Sequence, residues 1–203
     1  MVQYGCARAT ANKAVTALAD AGLVERRRRA GTFVALPPVQ TAALEIPELQ
    51  AEITRRGQAY GFESLARRLA SMPSTEADVA RLTLEGDTLE IQGLHRADGR
   101  PFAWEYRVIN LVAAPEARHA SFEGTSPGGW LLEHVIWSEA EHRIRAVAAP
   151  AAVAKHLQLA SGAACLELSR WTWRAGEGIT FVRQVFPADA FALVARFSPP
   201  AFE

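Results

Sequence analysis

The sequence predicts an α+β protein: a small helix-and-hairpin head followed by a larger antiparallel sheet with helices packed on it. Three observations predict this. In the second half, strand-like runs are joined by hairpin signals, Asp98-Gly99 and Arg174-Ala175-Gly176-Glu177-Gly178, rather than by crossover helices. Near the start, one helical period is followed by two short apolar runs around a basic tip. Between the two regions stands Pro37-Pro38, which breaks strand pairing and stiffens a spacer. The domains expected are 1–37, a linker over 38–46, and 47–203.

Charge follows the same division. The 203-residue chain has no net charge, with 22 basic and 22 acidic residues. Residues 1–37 carry six basic side chains (Arg8, Lys13, Arg26, Arg27, Arg28, Arg29) and two acidic ones (Asp20, Glu25). A basic head on a mildly acidic body suits contact with a polyanion, although an arginine run can equally be a solvated strand end. Cys6 and Cys165 are the only cysteines, too few for a disulfide framework. Met1-Val2-Gln3-Tyr4-Gly5 lacks the order of a secretory signal, and no apolar run approaches a membrane span. A cytoplasmic protein without a membrane partner is expected.

In the head, residues 7–21 read as a helix. Ala14, Val15, Leu18 and Ala21 recur with helical spacing and should form a buried stripe, and Gly22 suits the position just past a helix end. Arg8, Thr10, Asn12 and Lys13 make the other side polar and basic. Arg and Asn can bond base edges in the major groove, while Thr and Lys can hold phosphates. Leu23–Arg26 and Thr32–Ala35 read as a β-hairpin with Arg27-Arg28-Arg29-Ala30-Gly31 at its tip, a wing able to lie along a phosphate backbone.

In the body, Pro47 opens a helix running to Gly57, and Ser74 and Asp78 flank a second helix start. Thr88–Arg96 and Pro101–Asn110 are the strands around Asp98-Gly99. Ser126-Pro127 begins a helix with Trp130, Leu131 and His134. Glu139–Val147 is a strand, and Pro150–Leu159 a helix ending near Gly162. Cys165–Trp173 and Ile179–Phe186 form the last hairpin, with Phe191–Phe197 as a candidate edge strand. No internal repeat, phosphate loop, metal-ligand spacing or nucleophile-base set stands out, so no cofactor is expected and an enzyme is disfavoured.

These residues carry a resemblance. Arg8-Ala9-Thr10, Asn12-Lys13-Ala14, Ala21-Gly22-Leu23-Val24-Glu25-Arg26 and Gly31-Thr32-Phe33-Val34 resemble the second half of the winged helix-turn-helix of the GntR family of transcription regulators. The resemblance implies a recognition helix with Arg8, Thr10, Asn12 and Lys13, and a wing with Arg28 and Gly31. It also implies a homodimer on double-stranded operator DNA. That family's domain has two further helices before the recognition helix, so a truncated winged helix-turn-helix is expected here. Ala7 stands where the family usually has a capping serine. The body resembles the UTRA domain, which shares its architecture with chorismate lyase. Its marks are Gly99, Pro101 and Glu105, Glu141-His142-Arg143-Ile144-Arg145-Ala146, Leu157 before Gly162, and Arg170-Trp171-Thr172-Trp173.

Within that family, Leu94-His95, Glu105-Tyr106-Arg107-Val108-Ile109-Asn110, Glu139–Ile144 and Phe186-Pro187 resemble the branch that controls histidine-utilisation genes. This implies a small effector, urocanate, that releases the protein from DNA. Strand alternation puts Leu89, Ile91, Gly93 and His95 on one face, Glu105 and Arg107 on one face, and His142, Ile144 and Ala146 on one face. By resemblance His95, Glu105, Arg107, His142 and Trp173 line the effector cavity. Glu105 would accept from an imidazole N–H, and Trp173 would stack on the ligand. Gly93 and His95 stand where relatives often carry phosphate-binding arginines, which argues for a smaller effector. Blander roles stay open: His95 at the surface, Glu105 and Arg107 paired with neighbouring charges, and His142 as a hydrogen-bonded core histidine. Arg143 and Arg145 should be exposed on the opposite face. Another metabolite or a phosphosugar, or an effector module without DNA binding, are the alternative readings.

Overall fold

The structure, a computed structural model, describes Thr10 and residues 12–16, 24–27, 31–34, 48–71 and 76–193. In the first unit Thr10 and residues 12–16 are helical. Strands β1 (Val24–Arg27) and β2 (Gly31–Val34) pair antiparallel, with Val24 opposite Val34 and Arg27 opposite Gly31. Ala14 is exposed and Val15 half-buried, so the described part of the expected apolar stripe is only partly covered.

The second compact unit is Ile46–Leu193. Its described elements begin with α1 (Leu49–Arg55), β3 (Tyr60–Ala70), α2 (Ala77–Ala80), β4 (Thr88–Ala97) and β5 (Arg100–Asn110). A 3-10 turn at Pro115–Arg118 and α3 (Pro127–His134) follow, then β6 (Glu139–Ala148), α4 (Ala151–Leu157), β7 (Ala164–Arg174) and β8 (Glu177–Pro187). The six strands form one sheet in the order β3-β4-β5-β8-β7-β6, and every neighbouring pair is antiparallel. The α+β architecture is as expected.

Local chemistry explains most boundaries. Asp98 and Gly99 both have positive φ (50° and 75°), as a tight two-residue hairpin turn requires. Ala175 and Gly176 repeat this between β7 and β8. Ser126 accepts the Gly129 N–H at 2.9 Å and Pro127 occupies the first helical position, so α3 starts where expected. Helix α4 stops at Leu157 because Gln158 takes a left-handed conformation, two residues before the end expected from the sequence. Residues 191–193 form no strand, and the remainder of the expected Phe191–Phe197 strand lies outside the described residues, as does Ser74.

Strand β3 is an element the sequence did not announce. In β3, Leu65 and Leu69 stand four apart around Arg67-Arg68, a helix-like spacing, yet the segment pairs with β4 from Tyr60–Ala97 to Ala70–Thr88. A register shift between Ser64 and Ala66 further obscures its alternation.

Both sheet faces are covered. One face packs Leu89, Ile91 and Ile109 against Trp130 and Leu131 of α3 and Phe122. The opposite face packs Leu94, Cys165 and Val185 against Val153 and Leu157 of α4. On that second face Val108, Trp171 and Phe181 also meet Val79 and Leu82 at α2. No helix among the described residues is long and apolar enough to cross a membrane.

Candidate functional site

The long path from β5 through α3 to the edge strand β6 brings β6, β7 and β8 back toward the middle, so β8 pairs with β5. Residues from distant parts of the chain therefore meet on one face. Register places Gly93 opposite Glu105, Glu105 opposite Gln184, Gln184 opposite Leu168, and Leu168 opposite Ile144. One pair further along, Arg107, Val182, Arg170 and His142 run across the same face. This face carries α3 and a buried polar cluster.

Glu105 is the hub of that cluster. Its side chain is fully buried. One carboxylate oxygen accepts from Arg107 Nε at 2.7 Å; the other faces His95 Nε2 at 2.9 Å and accepts from Gln184 Nε2 at 2.7 Å. Burial pushes the Glu105 carboxyl up, but the Arg107 charge and the His95 contact outweigh it and hold the group well below the usual carboxylate range. Both oxygens thus have protein partners, and the carboxylate orders Arg107, His95 and Gln184 around it.

His95 is equally enclosed, at 1% exposure. Its Nδ1 lies 3.0 Å from the Tyr60 hydroxyl, so both ring nitrogens have protein partners. Phe62 meets the imidazole edge-on at 5.1 Å between ring centres. The surface position considered for His95 is excluded. Gly93 allows this packing, because a Cβ there would lie 2.2 Å from Phe62.

Arg107 is also buried and reaches toward α3. A Cβ on Gly128 would stand 2.9 Å from Arg107 Nη2, so the glycine leaves room for that approach. Ser126, at the cap of α3, donates to Glu48 Oε1 at 3.2 Å. Burial raises the Tyr60 phenol pKa, while a hydrogen bond with Ser126 opposes the rise.

His142 extends the cluster at the β6 side. Its Nε2 accepts from Arg170 Nε at 2.5 Å. Burial and the neighbouring Arg170 charge lower the His142 pKa to about 4, so the ring is neutral near pH 7. Burial, then the like charge of Arg107, lowers Arg170 to about 10.

The structure thus brings His95, Glu105, Arg107 and His142 to one face. Trp173 is not among them. It packs beside Leu82, Trp171 and Phe181 on the opposite face, because β7 alternates and Trp171 already points there. Trp173, expected beside the effector, therefore stands half-buried on the face away from the polar cluster. Arg143, expected to be exposed, is half-buried: it bonds Asp78 at 2.6 Å and lies 4.7 Å from the Trp171 ring centre.

Arg170, Gln184, Thr180, Tyr60 and Glu48 are cluster members that the sequence reading missed. A signal for Arg170 existed: once Trp171 is taken as core, alternation forces Arg170 to the other face. Tyr60 and Glu48 had no such signal, since neither β3 nor the entry to α1 shows where its side chains lead.

Of the expected DNA-reading residues, Thr10, Asn12 and Lys13 are exposed on the helical segment and Gly31 begins β2. Arg8 and Arg28 lie outside the described residues.

Comparison with known proteins agrees with this architecture. Residues 55–192 match the UTRA domain family. The chain is 30% identical over 202 residues to a histidine utilization repressor of Klebsiella aerogenes, covering 97% of this chain and 82% of that protein. It is 31% identical over 199 residues to the histidine utilization repressor of Pseudomonas aeruginosa, covering 97% and 78%. The crystal structure of the C-terminal domain of histidine utilization repressor from Pseudomonas syringae superposes with a TM-score of 0.63 at 24% identity, covering 70% of this chain and all of that one. PhnF from Mycobacterium smegmatis gives a TM-score of 0.66 at 19% identity, covering 97% and 87%. These relatives are regulators rather than enzymes, and the chain belongs to the UTRA-domain family of GntR-type transcription regulators.

Proposed function

We propose that this chain is a transcriptional repressor of histidine-utilisation genes whose hold on operator DNA is relieved by urocanate bound at the polar cluster. The observation that carries the reading is the meeting of His95, Glu105, Arg107 and His142 with Arg170 on one sheet face. The 30–31% identity to histidine utilization repressors supports it. Urocanate is flat, with a carboxylate at one end and an imidazole at the other. Arg107 and Arg170 supply cationic groups for the carboxylate. Tyr60 and the neutral His142 supply groups able to bond an imidazole, and Phe62 supplies an apolar wall. Phe62 fills the space above Gly93, which favours a small flat molecule over a phosphosugar.

On this reading Arg8, Thr10, Asn12 and Lys13 meet the major groove, and Arg28 and Gly31 the backbone beside it. A homodimer would present two such heads to a palindromic site. Effector binding can weaken DNA binding only if the two ligands favour different states of the protein.

Calorimetric titration with urocanate, histidine and a phosphosugar, paired with an operator mobility shift, tests the proposal. Urocanate should bind most tightly and release the operator. Phosphosugar binding without urocanate binding would overturn the effector assignment.

A further inference from the structure

We propose that Glu48 is a tethered competitor for the effector carboxylate, and that its displacement transmits ligand binding to the start of α1. The inference rests on the polar cluster being the effector site.

Glu48 holds two positions at once. One carboxylate oxygen accepts from Ser126 Oγ at 3.2 Å, at the cap of α3. The other accepts the Ala51 N–H at 2.9 Å and so caps α1. The positions of Glu48 and Arg107 beside α3 are adjacent: a Cβ on Gly129 would lie 3.8 Å from Glu48 Oε1, and one on Gly128 would lie 2.9 Å from Arg107 Nη2. The Glu48 charge also acts on both Tyr60 and Arg170.

The placement of charge gives the arrangement its meaning. Among the described residues the cluster brings together two guanidiniums, Arg107 and Arg170, and the buried carboxylate of Glu105; His142 is neutral near pH 7. Glu48 supplies a second negative charge beside them. An incoming carboxylate drawn to the same guanidiniums would repel it. Glu48 would then leave Ser126, and the same movement would withdraw the acceptor from Ala51 N–H. Because Glu48 immediately precedes α1 and caps it, the first turn of that helix would report an occupied site.

The test uses the full chain and two variants. Glu48→Ser removes the carboxylate yet keeps an oxygen able to cap α1, and Glu48→Gln is the isosteric neutral control. Removing the competitor should tighten urocanate binding about tenfold, since the wild-type site is free for only a fraction of the time. In the wild type, urocanate should accelerate hydrogen exchange at the Ala51 amide; in Glu48→Ser it should not. Equal or weaker urocanate binding by both variants, or wild-type Ala51 exchange that ignores bound urocanate, would overturn the proposal while leaving the effector assignment intact. If urocanate binds none of the three chains, the effector assignment fails, and sodium acetate becomes the probe. A larger acetate-induced rise in Tm for the variants than for the wild type would then support Glu48 as competitor. An equal rise, or none, would refute it.

Discussion

The two faces of the six-stranded sheet both join arginines, acids and aromatic rings, but they place the charges at different depths. On the α2 side, charges ring an apolar centre. Trp171 and Phe181 are fully buried, and Arg81, Arg143 and Arg183 lie over their rings while pairing with Glu141, Asp78 and Glu76. Those guanidiniums keep 21–38% of their side-chain surface exposed. On the α3 side the charges are themselves the interior: Glu105, His95 and Arg107 side chains are 0%, 1% and 6% exposed. Water screens the first set and is excluded from the second. A half-exposed ion pair adds little to stability. A buried one costs much desolvation and depends on every partner being present, which is common where a site must be preorganised for a ligand.

The sharpest way to break this contrast is Glu105→Ala. It leaves Arg107 buried without its counter-charge and removes an oxygen from His95 and Gln184. A loss of about 3–5 kcal/mol is expected from urea unfolding. Gly93→Ala should follow, at about 1–3 kcal/mol, because its Cβ meets Phe62 at 2.2 Å and the ring must leave His95. A shift of the Phe62 ring signals in NMR spectra would confirm the route.

Acid should reveal the same asymmetry. The folded Glu105 carboxyl titrates below its ordinary value of 4.5, so its contribution is complete above that range and is lost as pH falls through it. His142 adds to the same direction: its folded pKa of about 4 lies below the ordinary 6.5, so stability falls as pH drops from about 6.5 toward 4. Urea midpoints measured across that window should fall less steeply for His142→Gln. The smallest effect belongs to the other face. Glu141→Gln breaks a pair whose partners are 38% and 49% exposed, and a change below about 1 kcal/mol is expected by the same unfolding assay.

Local patterns made much of the fold legible. Asp98-Gly99 marked one hairpin because two consecutive positive-φ positions strongly favour such residues, and Ser126-Pro127 marked a helix start through its cap. Strand alternation grouped Gly93 with His95 and Glu105 with Arg107 correctly. Strand β3 stayed hidden because its bulge and leucine spacing imitate a helix, and only pairing with β4 overrides that local preference. With β3 hidden, Tyr60 and Phe62 could not be joined to His95.

The amino-acid sequence by itself determined most of the elements, though not β3, together with the alternation of faces and the family to which the chain belongs. These depend on residues close together along the chain, where backbone geometry and side-chain period act directly. Only the tertiary structure decided that Glu105 is an enclosed hub, that Trp173 belongs to the opposite face, and that Arg170, Tyr60 and Glu48 join the cluster. Those outcomes depend on the pairing of β5 with β8 and on the seating of α3. Both are contacts between distant segments, and burial and charge balance are properties of such an assembly rather than of any one strand.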